Sequence, residues 1–211
     1  MSVLFSSEEF ARMKDKLVFY RCALRNMETR VDALLEDFIN LQPYNPIEHV
    51  KSRVKSPERI AEKLNRRNFP ITAQSAFEHL TDIAGMRCIC SYAKDIFTMA
   101  DVFKRQPDIR IIHEKDYISE PKPSGYRSYH LIIEVPIFLT ADTHYIPVEI
   151  QLRTQAMDFW ASLEHKVRYK YNFQMPDTLS NELRDCAERI ASLDNRMHLI
   201  QEVADLTRRK K

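Results

Sequence analysis

Tyr145-Ile146-Pro147-Val148-Glu149-Ile150-Gln151-Leu152-Arg153-Thr154 alternates in steps of two. Val148, Ile150 and Leu152 fall on one face of an extended chain, and Glu149, Gln151 and Arg153 on the other. The period and the Ile and Val content predict a strand over 145–152. Three polar side chains on one face of a central, otherwise apolar strand are costly unless they meet water, a metal or a ligand. The segment is therefore a core element and a candidate site at once. An edge strand with one wet face is the plainer alternative.

Working outward, runs rich in Ile, Val, Cys and Tyr predict further strands over 86–91, 109–113 and 129–135. Ser56-Pro57 reads as an N-cap and first helical residue, with a helix to about 67. Helices are also expected over 73–80, 95–104 and 155–171, the last carrying Met157, Trp160, Leu163, Val167 and Tyr171 on one side. Ser6 and Glu9 stand at capping-box spacing. Beyond them Phe10, Met13, Leu17, Tyr20, Leu24, Met27, Val31, Leu34, Phe38 and Leu41 recur every three or four residues, which predicts one long helix ending near Pro43. After Pro176 the same rhythm returns in Leu179, Leu183, Cys186, Ile190, Leu193, Met197 and Ile200. Such stripes pack either on the chain's own core or between subunits; on a chain this small, self-association is the favoured expectation. The tail Arg208-Arg209-Lys210-Lys211 reads as a solvated, frayed end. The expected fold class is α/β, a mixed sheet of about five strands between two long helices. It forms one domain over 1–211, divided into helix 1–42, core 45–172 and helix 176–206.

The 211 residues are 44% hydrophobic and 29% charged, an ordinary globular balance. With 32 Lys+Arg against 30 Asp+Glu the net charge is only +2, which does not suit a globally basic nucleic-acid wrapper. No segment is apolar enough to span a membrane, and the first residues lack the basic start of a signal peptide. Cys22, Cys88, Cys90 and Cys186 have no metal-ligand spacing and read as buried free thiols in a reducing cytoplasm. Average usage would give about 15 glycines; the chain has 2, Gly85 and Gly125. Dinucleotide and Walker A loops are thus excluded, and any phosphate must be held by side chains. Both glycines are expected at special backbone positions.

Four constellations could carry chemistry. Residues 51–67 hold seven basic and two acidic side chains. Arg59, Lys63 and Arg66 share a helix face, and Arg53 and Lys55 precede its positive end, an arrangement suited to a polyphosphate. Taken alone, a solvated basic face is the better reading. Asp82 before a strand could hold Mg²⁺ through few protein ligands, or merely cap a turn. In Lys122-Pro-Ser-Gly125-Tyr126-Arg127-Ser-Tyr129-His130, a tight turn at Gly125 would present Tyr126 outward to stack a base among cations. Glu149 is the natural partner of Asp82 at a metal. Together these groups suit phosphoryl-type transfer between two nucleotides on Mg²⁺, where positioning and charge stabilisation do most of the work.

Arg53-Val-Lys55…Lys63, Asp82-Ile-Ala-Gly85-Met-Arg87, Gly125-Tyr126-Arg127-Ser-Tyr129-His130 and Glu149-Ile-Gln151-Leu-Arg153-Thr154…Trp160-Ala-Ser-Leu-Glu164-His165 resemble, in order, the synthetase motifs of the RelA/SpoT homologues. The likeness covers roughly 45–172 and is nearest the RelP-type small alarmone synthetases, then the RelQ-type. It implies a sheet related to polymerase-β-type nucleotidyltransferases. It also implies an ATP:GTP/GDP 3′-pyrophosphotransferase making pppGpp or ppGpp and AMP, with no hydrolase domain, and a homotetramer built through the terminal helices. By the resemblance, Arg53 and Arg87 sandwich adenine; Lys55, Arg59, Lys63 and Arg66 grip the ATP phosphates; Asp82 binds Mg²⁺. Tyr126 stacks on guanine, while Lys115, Lys122 and His130 hold the guanine nucleotide's phosphates. Glu149 activates the 3′-hydroxyl or shares the metal, with Gln151 beside it, and Gln151 and Asp158 are placed with the guanine nucleotide.

Three positions depart from the family pattern: Thr81 in place of His, Asp158 in place of Asn, and His113-Glu-Lys-Asp116 in place of a more basic loop. They leave the preference among GMP, GDP and GTP open. Two other functions stay open on the residues alone. One is an RNA-binding module using residues 51–67 and the aromatic loop, which would not need Asp82 or Glu149. The other is a related transferase acting on an adenine nucleotide or a tRNA end.

Overall fold

The computed structural model describes residues 4–171 and 175–209; expectations for the first three residues, for residue 172 at the core boundary, and for Lys210 and Lys211 lie outside the described residues. Helix α1 (Ser7–Leu41) starts at Ser6, whose Oγ accepts from the Glu9 amide at 3.2 Å. The capping box is only half built. The Glu9 carboxylate instead accepts from the Ala73 amide at 2.6 Å, capping a second helix, α3 (Ala73–His79).

The α1 stripe is a wall of the core. Met13, Leu17, Tyr20, Leu24, Met27 and Val31 are buried against the sheet's apolar face, where Met86, Ile150, Leu131 and Ile133 meet them. Each such burial contributes roughly 1.5–3 kcal/mol. This corrects the expectation of an assembly surface for the greater part of the stripe; Leu41, 76% exposed, lies beyond the wall.

The sheet has five strands in the order β1-β2-β5-β4-β3: β1 (Ile47–Val54), β2 (Ala84–Cys90), β3 (Arg110–Asp116), β4 (Tyr129–Phe138) and β5 (Thr143–Thr154). The β2–β5 pair is parallel and the other three are antiparallel, so the expected mixed sheet is present. The predicted strand over 145–152 is β5, at the sheet's centre. β1 is an edge strand whose Glu, His, Lys and Arg content hid it from the sequence reading.

Helices α2 (Pro57–Arg66) and α3 link β1 to β2, and α4 (Ala93–Lys104) links β2 to β3. Ile60 and Leu64 of α2 turn into the core, as do Ile96, Met99 and Phe103 of α4. Helix α5 (Gln155–Lys170) follows β5 directly, with Thr154 as its N-cap. Helix α6 (Asp177–Arg209) runs through Arg209, so the helix continues further into the basic tail than expected.

α6 lies on α5 through Leu183, Ala187 and Ile190 around Trp160, whose Nε1–H donates to the Leu183 carbonyl at 2.9 Å. The buried line thus passes through Ala187, and Cys186 is exposed. Leu193, Met197 and Ile200 of the expected stripe stay exposed, with Leu199, Val203 and Leu206. All four cysteines are free thiols, Cys88 and Cys90 buried in β2 as expected. Among the described residues no helix is long and apolar enough to cross a membrane.

Candidate active site

Strand register builds the site. Reading across all five strands, one row on the sheet's polar face is Lys51, Arg87, Gln151, His130 and Lys115. The next row is Arg53, Gly85, Glu149, Ile132 and His113. Side chains two apart on each strand share this face, so β5 places Glu149 and Gln151 in the middle of a floor flanked by cations on both sides. Gly85 carries no special backbone angle, contrary to expectation, and stands where a side chain would reduce the cleft.

Two clefts open on this floor. One, of about 320 Å³, is lined by Lys51, Arg53, Lys55, Arg87 and Gln151. The other, of about 220 Å³, is lined by Lys63, Arg67, His113, Lys115, Tyr117, Lys122 and His130. Asp82 and Glu149 line both. A pair of carboxylates therefore stands between two cation-lined cavities.

The Asp82 Oδ2 accepts from Lys55 Nζ at 2.6 Å and from Lys63 Nζ. Burial pushes its pKa up, but the two lysines outweigh that and hold it below the usual carboxylate range. Its Oδ1 is buried and has no hydrogen-bond partner. Glu149 accepts from Gln151 Nε2 at 2.8 Å and faces His130 Nδ1 at 3.3 Å. Burial raises its pKa too, yet His130 and Gln151 bring it below the ordinary value. Both groups are thus ionised at neutral pH.

Of the residues singled out in the sequence, Arg53, Lys55 and Arg87 line the first cleft, and Lys63, Lys115, Lys122 and His130 the second. Arg59 lies on the outer side of α2, paired with Glu62 at 3.0 Å, and Arg66 is exposed; neither lines these clefts. Gln151, expected with the guanine nucleotide, lies in the first cleft against Glu149, and Lys63, expected with the ATP phosphates, lines the second, because both border the carboxylate pair that the clefts share. Asp158 bridges Arg87 at 2.8 Å and Arg153 at 3.1 Å.

Tyr126 does not point outward as the turn had suggested. Gly125, at φ +87°, turns the chain, but the Tyr126 hydroxyl is held by Arg153 at 2.6 Å and by His130 at 2.8 Å. Lys122 lies over its ring at 4.7 Å. The sequence reading gave no individual role to Lys51 and Arg67 of the basic run, to His113, or to Arg153 of the polar strand face, and it did not single out Tyr117. The spacing Lys51-x-Arg53-x-Lys55 is the strand signal that would have found the first.

A family model described as "Region found in RelA / SpoT proteins" matches residues 52–174. GTP pyrophosphokinase YwaC of Bacillus subtilis (strain 168) is 47% identical over 192 residues, covering 91% of each chain. The chain belongs to the RelA/SpoT family. The crystal structure of small alarmone synthetase 2 from B. subtilis matches with a TM-score of 0.81 and 46% identity, covering 90% of this chain and 98% of that one. Small alarmone synthetase 1 from the same organism, solved bound to its product pppGpp, gives 0.84 and 34%, covering 90% and 97%. Its structure bound to AMPCPP gives 0.78 and 30%, covering 92% and 98%. The expected synthetase fold is therefore the fold of this RelA/SpoT chain.

Pyrophosphokinases of this family use a divalent metal, and the donor set fits one. Asp82 Oδ1 is a buried anionic oxygen lacking a partner, and Glu149 is a second ionised carboxylate that feels the charge of Asp82. Among the described residues no group of three or more His, Cys, Asp and Glu could form a closed metal cage. Two carboxylates and an otherwise open coordination sphere suit a hard cation that also binds phosphate oxygens.

Proposed function

We propose that this chain is a (p)ppGpp synthetase, transferring the pyrophosphate of ATP to the 3′-hydroxyl of GDP or GTP and releasing AMP. The observation that carries the reading is the carboxylate pair shared by two cation-lined clefts. A pyrophosphoryl group in transit must touch both nucleotides at once, and the shared wall is where it would pass.

The first cleft is the donor side. Arg53 and Arg87 stand diagonally across β1 and β2, both lining the first cleft, and would hold adenine between their flat guanidinium groups. Lys55 would follow the ATP phosphates from the first cleft, and Lys63, which lines the second cleft, would reach them across the shared Asp82, with Arg59 and Arg66 acting from the outer side of α2 on a longer reach. The second cleft is the acceptor side. Tyr126 would stack guanine, and Lys115, Lys122 and His130 would bind the acceptor's phosphates. Gln151 would orient Glu149, and Asp158, near the guanine side, would fix Arg153 behind the floor and Arg87 on the donor side.

In the transfer, the acceptor 3′-oxygen forms a bond to the β-phosphorus of ATP. The bond from that phosphorus to the α–β bridging oxygen breaks, and AMP leaves with both electrons. Glu149, ionised and held by two donors, takes the proton of the 3′-hydroxyl. Asp82 would hold Mg²⁺, with Glu149 as the second ligand. When bound, Mg²⁺ neutralises charge on the phosphate oxygens.

The exposed apolar residues of α6 support assembly as a homotetramer, with α6 rather than the α1 wall supplying the contact. The four free thiols agree with a cytoplasmic location. We take residues 1–211 as one synthetase domain.

The test is turnover by purified protein with Mg²⁺, ATP and each of GMP, GDP and GTP, with products identified by mass. A guanosine bearing a new 3′-pyrophosphate, formed in step with AMP, is the expected result. AMP formed only with an adenine-nucleotide or tRNA acceptor would replace the substrate assignment. No AMP with any acceptor, together with tight binding of single-stranded RNA, would transfer the reading to an RNA-binding module.

A further inference from the structure

Arg153 is 4% exposed and lies behind the polar floor. Its Nη2 carries two protons, and both are engaged internally: one on the Tyr126 hydroxyl at 2.6 Å, the other on Gln151 Oε1 at 2.8 Å. From Gln151, Nε2 continues to Glu149 Oε2 at 2.8 Å. From Tyr126, the hydroxyl meets His130 Nε2 at 2.8 Å, and His130 Nδ1 faces Glu149 Oε1 at 3.3 Å. Two arms leave one guanidinium nitrogen and end on the two oxygens of one carboxylate.

Donor and acceptor chemistry gives both arms a direction. A guanidinium only donates and an ionised carboxylate only accepts. The Tyr126 oxygen therefore accepts from Arg153, and the His130 nitrogen that faces the Glu149 carboxylate, Nδ1, carries hydrogen. In a neutral ring Nε2 is then the acceptor, and it takes the Tyr126 proton. Gln151 likewise turns its oxygen to Arg153 and its amide nitrogen to Glu149.

We propose that Arg153 is the positioning residue of Glu149: it sets the tautomer of His130 and the amide orientation of Gln151, so that both donate to the base and aim it. The inference rests on the assignment of Glu149 as base and extends it to a residue that touches no substrate. The same guanidinium donates through Nη1 to Asp158 at 3.1 Å, which accepts from Arg87 at 2.8 Å. One buried side chain thus ties the arginine of one cleft to the tyrosine beside the other. Lysine at this place would keep the charge but lose the planar guanidinium that fixes both arms from Nη2 while Nη1 holds Asp158.

The experiment uses the full chain as wild type, Arg153→Lys and Tyr126→Phe, the last keeping the aromatic ring and deleting one link. The first readout is the ¹⁵N spectrum of the His130 ring without nucleotide, its signals identified by their loss in His130→Asn. The wild type is expected to carry its proton on Nδ1, with Nε2 hydrogen-bonded. In Tyr126→Phe, Nε2 takes the shift of an unbonded nitrogen, and in Arg153→Lys the single tautomer gives way to a mixture. The second readout is steady-state kinetics. Both variants should lose about tenfold or more in kcat, with both nucleotide KM values within about threefold.

A wild-type proton on Nε2 overturns the proposal, as does Arg153→Lys with an unchanged ring spectrum and kcat. Should Arg153→Lys fail to fold, Tyr126→Phe with wild-type kcat and an unmoved Nε2 signal overturns it equally. A wild type without turnover would sink the proposed function alone, since the ring spectrum decides the role of Arg153 without substrate.

Discussion

Gly125 and Ala187 meet without room for another atom: a Cβ built on Gly125 would lie 2.5 Å from the Ala187 Cβ. Helix α6 is thereby seated on the turn that places Tyr126. Any added volume at Gly125 would have to move either the turn or the helix, and Gly125 also holds a φ of +87°, which side chains resist.

Gly125→Ala should therefore destabilise by about 2–5 kcal/mol, the sum of a left-handed backbone cost and overpacking. It should also raise the KM for the guanine nucleotide more than that for ATP. Ala187→Gly removes the clash but not the backbone cost. The double variant should recover part of the loss, so its destabilisation in urea should be smaller than the sum of the single ones. Strict additivity would show that the two residues do not press on each other.

Glu149→Gln keeps the shape of the side chain and removes its charge. Turnover should fall by about a hundredfold or more, as expected when a general base is lost. Calorimetric binding of ATP and of GDP should change little, because the cations of both clefts remain. Turnover within a few fold of wild type would remove Glu149 from the role of base.

The central strand and the long first helix were legible because their periods are clean: two in Val148, Ile150 and Leu152, three and four from Met13 to Val31. The cluster of site residues was legible for the same reason, since Glu149 and Gln151 occupy the costly face of a buried strand. β1 was not, because beyond Ile47 its apolar face is only Val50 and Val54, interrupted by Ser52, and the alternating Lys51 and Arg53 opposite them read as part of a basic run. Arg59 and Arg66 share a sequence run with Lys63, but only Lys63 reaches the clefts, because the core contacts of Ile60 and Leu64 decide how α2 is rolled. The engagement of Tyr126 depends on Arg153, 27 residues away in the chain, a contact that no local pattern encodes.

Asp82 shows how the same burial can be turned to stability. Its pKa is lowered, so the folded state favours the ionised form and gains stability above the unfolded value of about 4. That gain is lost as pH falls through the lower folded value. Asp82→Asn leaves Lys55 and Lys63 without their shared anion and should be destabilised at pH 7, by urea unfolding. The difference from wild type should hold from pH 8 to 5 and shrink below about pH 4. A difference independent of pH down to 2 would mean that the pairing contributes nothing.

Thr154 supplies the opposite sign. Its hydroxyl caps α5 by accepting from the Met157 amide at 3.2 Å and donates to Asp194 of α6 at 2.6 Å. Burial raises the pKa of Asp194, only partly offset by Thr154 and by nearby His198. For a carboxyl whose folded pKa is raised, the associated stability is present below the unfolded value and is lost as pH rises through the folded one. Thr154→Val removes the cap, at about 0.5–2 kcal/mol, and takes the one donor that helps Asp194 stay ionised. The variant should therefore be destabilised at both pH 4 and pH 7, and more at pH 7, where Asp194 must be ionised without its partner. Adding Asp194→Asn to Thr154→Val should cancel the pH-dependent part and leave the cap loss alone. Urea midpoints of the single and double variants at the two pH values measure this, and an equal loss at pH 4 and pH 7 in Thr154→Val would show that the hydroxyl serves α5 only and does not hold α6.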